Sequence, residues 1–70
     1  MKLTYDKEAD AAYIYIKDKI TAGEATKTIS LDENIKIDFD RHKKLLGIEI
    51  LSASKMLPKI LLEKQATVSS

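Results

Sequence analysis

Between Lys2 and Leu51 the chain alternates apolar and polar residues in short runs, and the spacing lengthens only beyond Ser52. A period of two sends successive side chains to opposite faces of a strand, so these runs predict β-strands rather than helices. Lys2 to Tyr5 places Leu3 and Tyr5 on one face. Ala11 to Lys17 is rich in β-branched and aromatic residues, which suit a pleated surface. Ala25 to Leu31 sets Ile29 and Leu31 opposite Thr28 and Ser30. Ile35, Ile37 and Phe39 oppose Lys36 and Asp38, and a last run aligns Leu46, Ile48 and Ile50. Short strands at this spacing read as an antiparallel meander of four or five strands.

The run from Ala11 to Lys17 carries a further constraint. Ala12, Ile14 and Ile16 occupy one face, while Ala11, Tyr13 and Tyr15 occupy the other, so both faces are apolar. Strands of that kind lie between two layers. A single helical segment follows, so only one layer comes from the same molecule. The other face stays partly wet or meets another chain. Size points the same way, because a chain of 70 residues buries only roughly 60% of the surface its unfolded form exposes. With no cysteine and His42 as the sole histidine, neither disulfides nor a structural zinc site can supplement the core. Association is the remaining route, which makes a homo-oligomer or a small protein partner the expected arrangement. Tyr13 and Tyr15 are then the candidate interaction residues, since a tyrosine ring is apolar while its hydroxyl finds a partner.

The last third changes period. Met56/Ile60 and Leu57/Leu61 pair at i,i+4 spacing, and Ser52 or Ser54 is available as an N-cap. Pro58 lacks an amide hydrogen and pushes Leu57 toward extended geometry. The expectation is a helical turn near residues 53–56, then a helix opening at Pro58 and ending near Lys64. Met56, Leu57, Ile60 and Leu61 should meet the apolar row of the sheet. The whole reads as one α+β domain over residues 1–65, a sheet with its C-terminal helix on one face, and a frayed tail at 66–70.

The pattern Tyr5-Asp6-x-x-x-Asp10-Ala11-x-Tyr13-Ile14-Tyr15 resembles the start of a small bacterial family catalogued as domain of unknown function 2283. The likeness continues through Ile37-Asp38-Phe39-Asp40, Leu46 to Leu51 and Ala53-Ser54, and covers about residues 1–62. It implies a small α+β fold and no accepted activity, with an antitoxin-like pairing to a small toxin as one suggested role. The chain departs from the family at the hairpin Asp40 to Lys44, where His42 and Lys43 stand in place of a pair ending in glycine. Lys43 must therefore adopt a left-handed conformation, or the turn must differ.

Charge narrows the function classes. A net charge of +1 with 33% charged residues of mixed sign lacks the strong positive field of a nucleic-acid binder. Residues 1–51 hold nine Lys/Arg against ten Asp/Glu, and the C-terminal remainder is mildly basic. No apolar run reaches the ~20 residues of a membrane span, and Asp6, Lys7, Glu8 and Asp10 interrupt any signal-like core. A cytoplasmic protein is the expectation. His42 titrates near neutrality, but between Arg41 and Lys43 it reads as a turn residue with no nucleophile beside it. No catalytic residue, metal ligand or cofactor site is assigned. Asp6 and Asp10 read as turn caps that accept hydrogen bonds from backbone amides. The alternative function is a small-molecule or metal-binding protein built on surface carboxylates, with Asp38, Asp40 and Glu49 as the candidates. The leading reading is a protein-interaction module, self-associating or docking a partner.

Overall fold

The computed structural model describes the backbone of residues 1–68 and the side chains of residues 1–63. The alternating runs form five strands: β1 (Lys2–Asp6), β2 (Ala11–Tyr15), β3 (Lys27–Ser30), β4 (Ile35–Phe39) and β5 (Leu45–Leu51). All neighbours are antiparallel, in the order β1-β2-β5-β4-β3. The α+β architecture is the expected one, and β3-β4-β5 do run as a meander. The β1-β2 hairpin, however, docks against the far edge of β5 instead of leading into β3. The last strand thus becomes the central one, which lets the most apolar run, Leu45–Leu51, gain a partner on both sides.

The register brings apolar residues into rows that cross the sheet. Leu3, Ile14, Ile48, Ile37 and Ile29 form one row through all five strands. Tyr5, Ala12, Ile50 and Ile35 form the next. Two helices, α1 (Ala53–Met56) and α2 (Lys59–Val68), complete the chain. Ala12, Ile50, Ala53 and Leu62 make the buried centre, with Leu3, Tyr5, Ile14, Ile48 and Leu57 packed around it. The helices therefore cover the β1-β2-β5 half of this face. Toward β4 and β3 the rows run out into solvent, and Ile29 is 42% and Leu31 67% exposed.

Leu57 is extended, with φ −116° and ψ 150°, so the helical segment breaks at Pro58 as its restricted geometry requires. That break corrects two expectations. Helix α2 continues to Val68 rather than ending near Lys64, and residues 69–70 of the expected tail lie outside the described residues. Of the four residues expected to face the sheet, only Leu57 joins the core, while Met56, Ile60 and Leu61 are largely exposed. Leu62 is the buried residue of α2. The i,i+4 pairs spanned Pro58 and assumed one continuous helix; an extended Leu57 resets the phase of the next.

Lys43 occupies the left-handed region, at φ 64°, where the family-like hairpin would favour glycine. Its amide donates to the Asp40 carbonyl at 3.0 Å, closing the turn. A side chain held there costs about 1–2 kcal/mol. Lys43→Gly should accordingly raise unfolding free energy by roughly 1 kcal/mol, measured by urea denaturation. A less stable variant would show that the Lys43 side chain, not the backbone, governs this hairpin.

Candidate functional site

The face of the sheet opposite the helices carries Tyr13, Tyr15, Thr4, Glu49, Lys36, Asp38 and Thr28, as the register dictates. No described element packs over it. Its central feature spans four strands. The Tyr13 side chain leaves β2, lies across Gly47 of β5, and donates its hydroxyl to Asp38 Oδ2 of β4 at 2.7 Å. Thr28 Oγ1 of β3 donates to Asp38 Oδ1 at 2.6 Å. A Cβ on Gly47 would stand 2.5 Å from the Tyr13 ring, so only glycine admits this crossing. Burial raises the Tyr13 pKa well above that of an ordinary phenol, and its bond to the Asp38 carboxylate adds to the effect. Tyr13 is therefore a neutral hydrogen-bond donor at physiological pH rather than a nucleophile. Tyr15 stacks edge-on against it with ring centroids 4.7 Å apart, and Lys2 Nζ sits 4.8 Å from the Tyr15 ring centre. Of the two candidate interaction residues, Tyr13 has an internal partner for its hydroxyl.

The two aspartates of the first turn have different partners. Asp6 Oδ1 accepts from the amides of Glu8 and Ala9 at 3.1 and 3.3 Å, within its own turn. Asp10, expected to do the same, reaches across the fold instead. Its Oδ1 accepts from the Tyr5 hydroxyl at 2.7 Å and the Ser54 amide at 2.9 Å, and its Oδ2 from the Ser54 hydroxyl at 2.7 Å. The Asp10 carbonyl also accepts from the Ala53 amide at 2.9 Å. Asp10 is thus the cap of α1, in place of Ser52, whose side chain makes no capping bond. The turn bends Asp10 into a left-handed conformation, φ 52°, and this aims both its carbonyl and its carboxylate at the helix. No sequence signal marked that pairing, because 44 residues separate the partners.

The remaining candidates do not form a cluster. Asp40 Oδ1 accepts from the amides of His42 and Lys44 at 2.8 and 2.9 Å and so serves its own hairpin. Asp38 is held by the two hydroxyls, and Glu49 lies opposite Tyr13 and Lys36. Among the described residues no three acidic or histidine side chains gather as metal ligands would. His42 is exposed and accepts at Nε2 from Arg41 Nε at 3.3 Å. It lines an open hollow of about 420 Å³ with Thr21, Glu24 and Arg41. Glu24 there is already engaged by Lys17 and by the Thr21 amide.

Charge is distributed along the strand direction. The turns at one end, β1-β2 and β3-β4, with α1 beside them, hold Asp6, Glu8, Asp10, Asp32 and Glu33 against Lys7 and Lys55. The loops at the other end, β2-β3 and β4-β5, hold Lys17, Lys19, Arg41, Lys43 and Lys44 against Asp18, Glu24 and Asp40. A nearly neutral molecule is thus acidic at one end and basic at the other. No helix among the described residues is long and apolar enough to cross a membrane.

Two predictions follow from these contacts. Gly47→Ala should cost about 1–3 kcal/mol by displacing the Tyr13 ring, and the cost should largely vanish in a Tyr13→Ala background. Equal penalties in both backgrounds, read from urea melts, would exclude the crossing as the cause. The second concerns pH. Hydrogen bonds from Tyr5 and Ser54 hold the Asp10 carboxyl below the usual range, and those from Lys44 and His42 do the same for Asp40. Depressed folded-state values contribute stability that is present above about pH 4 and lost as pH falls further. Tyr5 is raised chiefly by its bond to Asp10, and Tyr13 by burial. Their contribution is full below about pH 10, the unfolded value, and declines as pH rises beyond it. Melting temperature against pH should fall off on both sides, with Asp10→Asn flattening the acid limb and Tyr13→Phe the alkaline one.

Comparison with known proteins bears on the same segments. A family model described as "Protein of unknown function (DUF2283)" matches residues 2–54, from β1 into α1. An uncharacterised protein of Methanocaldococcus jannaschii is 41% identical over 56 residues, which is 80% of this chain and 44% of that protein. The chain thus spans less than half the length of that relative. No solved structure gives a significant match. The matched region takes in the Tyr13, Gly47 and Asp38 crossing and the Asp10 cap, and the chain belongs to this DUF2283 family.

Proposed function

We propose that this domain is a protein-interaction module whose primary association is with itself. The observation that carries the reading is the mismatch between its apolar content and its core. Only five side chains, Ala12, Leu46, Ile50, Ala53 and Leu62, are fully buried. Meanwhile the apolar rows emerge uncovered at Ile29 and Leu31, and the tyrosine face has no layer above it. A domain of this size gains stability most directly by covering such surface with another chain.

Self-association is favoured over an antitoxin-like role by charge. A molecule acidic at one end and basic at the other is complementary to an inverted copy of itself. The carboxylate-based alternative has less support, because Asp38 and Asp40 already have internal hydrogen-bond partners.

Native mass spectrometry of the protein purified gently from its host tests this reading. A homodimer whose population falls as salt rises is expected, since opposed charges at a surface are screened. A monomer carrying a stoichiometric metal or small molecule would overturn the reading and return weight to the carboxylates.

A further inference from the structure

The sheet has two edges, and they differ. Strand β1 has α2 packed against it, whereas β3 is paired only with β4 and all four of its residues are exposed. The Leu31 amide donates to the Ile35 carbonyl at 2.8 Å. Backbone groups in an antiparallel ladder point alternately toward and away from the neighbour. Ile29 and Lys27 therefore share the direction of Leu31, toward β4, while the N–H and C=O groups of Thr28 and Ser30 point outward. The edge offers two donors and two acceptors in a row, with neither proline nor bulge to block them.

We infer that β3 is the dimerisation edge, and that it pairs antiparallel with β3 of a second copy about a two-fold axis through Ile29. This rests on the self-association proposed above and names its surface. The register follows from the chain itself. An axis at Ile29 sets Thr28 of each copy opposite Ser30 of the other, so their four outward-facing donors and acceptors become two reciprocal hydrogen-bonded pairs. The same axis sets Ile29 against Ile29 in the close, non-hydrogen-bonded position. The exposed row Ile37–Ile29 then continues into the same row of the second copy, on one face. Shifting the pairing by one residue would oppose the outward groups of Thr28 to residues whose own groups are already turned to β4.

Charge fits the same operator. A two-fold axis perpendicular to the sheet inverts the second copy, so the acidic end of each lies beside the basic end of the other. Lys27 falls opposite Leu31, and the Asp32-Glu33 turn of one copy then follows beside Lys27 of its mate. A parallel arrangement of the two edges would instead bring like ends together.

Sedimentation equilibrium of the full chain over a concentration series tests the assignment with two edge variants. Ile29→Lys places two ammonium groups across the axis, and Ser30→Pro removes an outward N–H without touching the β3-β4 ladder. Both positions are exposed, and a far-UV spectrum matching the parent reports that each variant is folded. Each should weaken dimerisation roughly tenfold or more, Tyr15→Ala should leave it unchanged, and added salt should weaken the parent dimer. If the edge variants dimerise like the parent while Tyr15→Ala does not, the edge is overturned and the tyrosine face takes its place. If the parent is a monomer throughout the series, self-association itself is overturned.

Discussion

A missing side chain at the middle of the central strand organises one whole face of this protein. Gly47 lies between β2 and β4, and its bare backbone lets the Tyr13 ring lie flat against β5 and reach Asp38. Thr28 then joins from the edge strand, so one carboxylate ties β2 to β4 and β3. In a sheet whose register would otherwise rest on hydrophobic rows alone, this crossing is a directional bond that only one alignment satisfies. It also explains how an aromatic-rich face stays stable without a covering layer. The tyrosines pack on each other and on glycine, and Lys2 closes the far side of Tyr15.

The opposite face depends on a second long-range contact. Asp10 caps α1 through both its carboxylate and its carbonyl, and receives the Tyr5 hydroxyl from β1. The first hairpin and the first helix are thereby fixed to one another before α2 begins. Because α1 is a single turn, its orientation would be weakly determined by its own hydrogen bonds. The aspartate supplies what the helix lacks. With α1 placed, Ala53 closes over Ile50 and Ala12, and Leu62 of α2 completes the small core.

Both anchors serve the β1-β2-β5 half of the molecule, and this division has consequences. The β3-β4 hairpin is held to the sheet by pairing and by Asp38, but no helix covers its apolar row. An edge strand with exposed isoleucine and open backbone groups is a template for further pairing. Strand direction sorts the charges as well. Alternate turns of an antiparallel sheet fall at opposite ends, and here the acidic turns share one end while the basic loops share the other. Counted along the chain those charges nearly cancel; sorted by topology they form a dipole that suits an inverted neighbour.

The sequence by itself determined the five strands, the break at Pro58 and the faces on which side chains stand, because a period of two and a proline are local constraints. It also carried the resemblance to the DUF2283 family, through the Tyr5 to Tyr15 pattern, Ile37 to Asp40 and the Leu46 to Leu51 run. Strand order was not legible, since nothing local says that β5 inserts between β2 and β4. The phase of α2 was misread for a related reason: one extended residue, Leu57, turned Leu62 rather than Ile60 or Leu61 toward the sheet. Asp10 read as a turn residue and proved a helix cap, and Gly47 carried no signal until Tyr13 was seen to cross it. Each of these depends on partners brought together from distant positions, and only the closed sheet decides which they are.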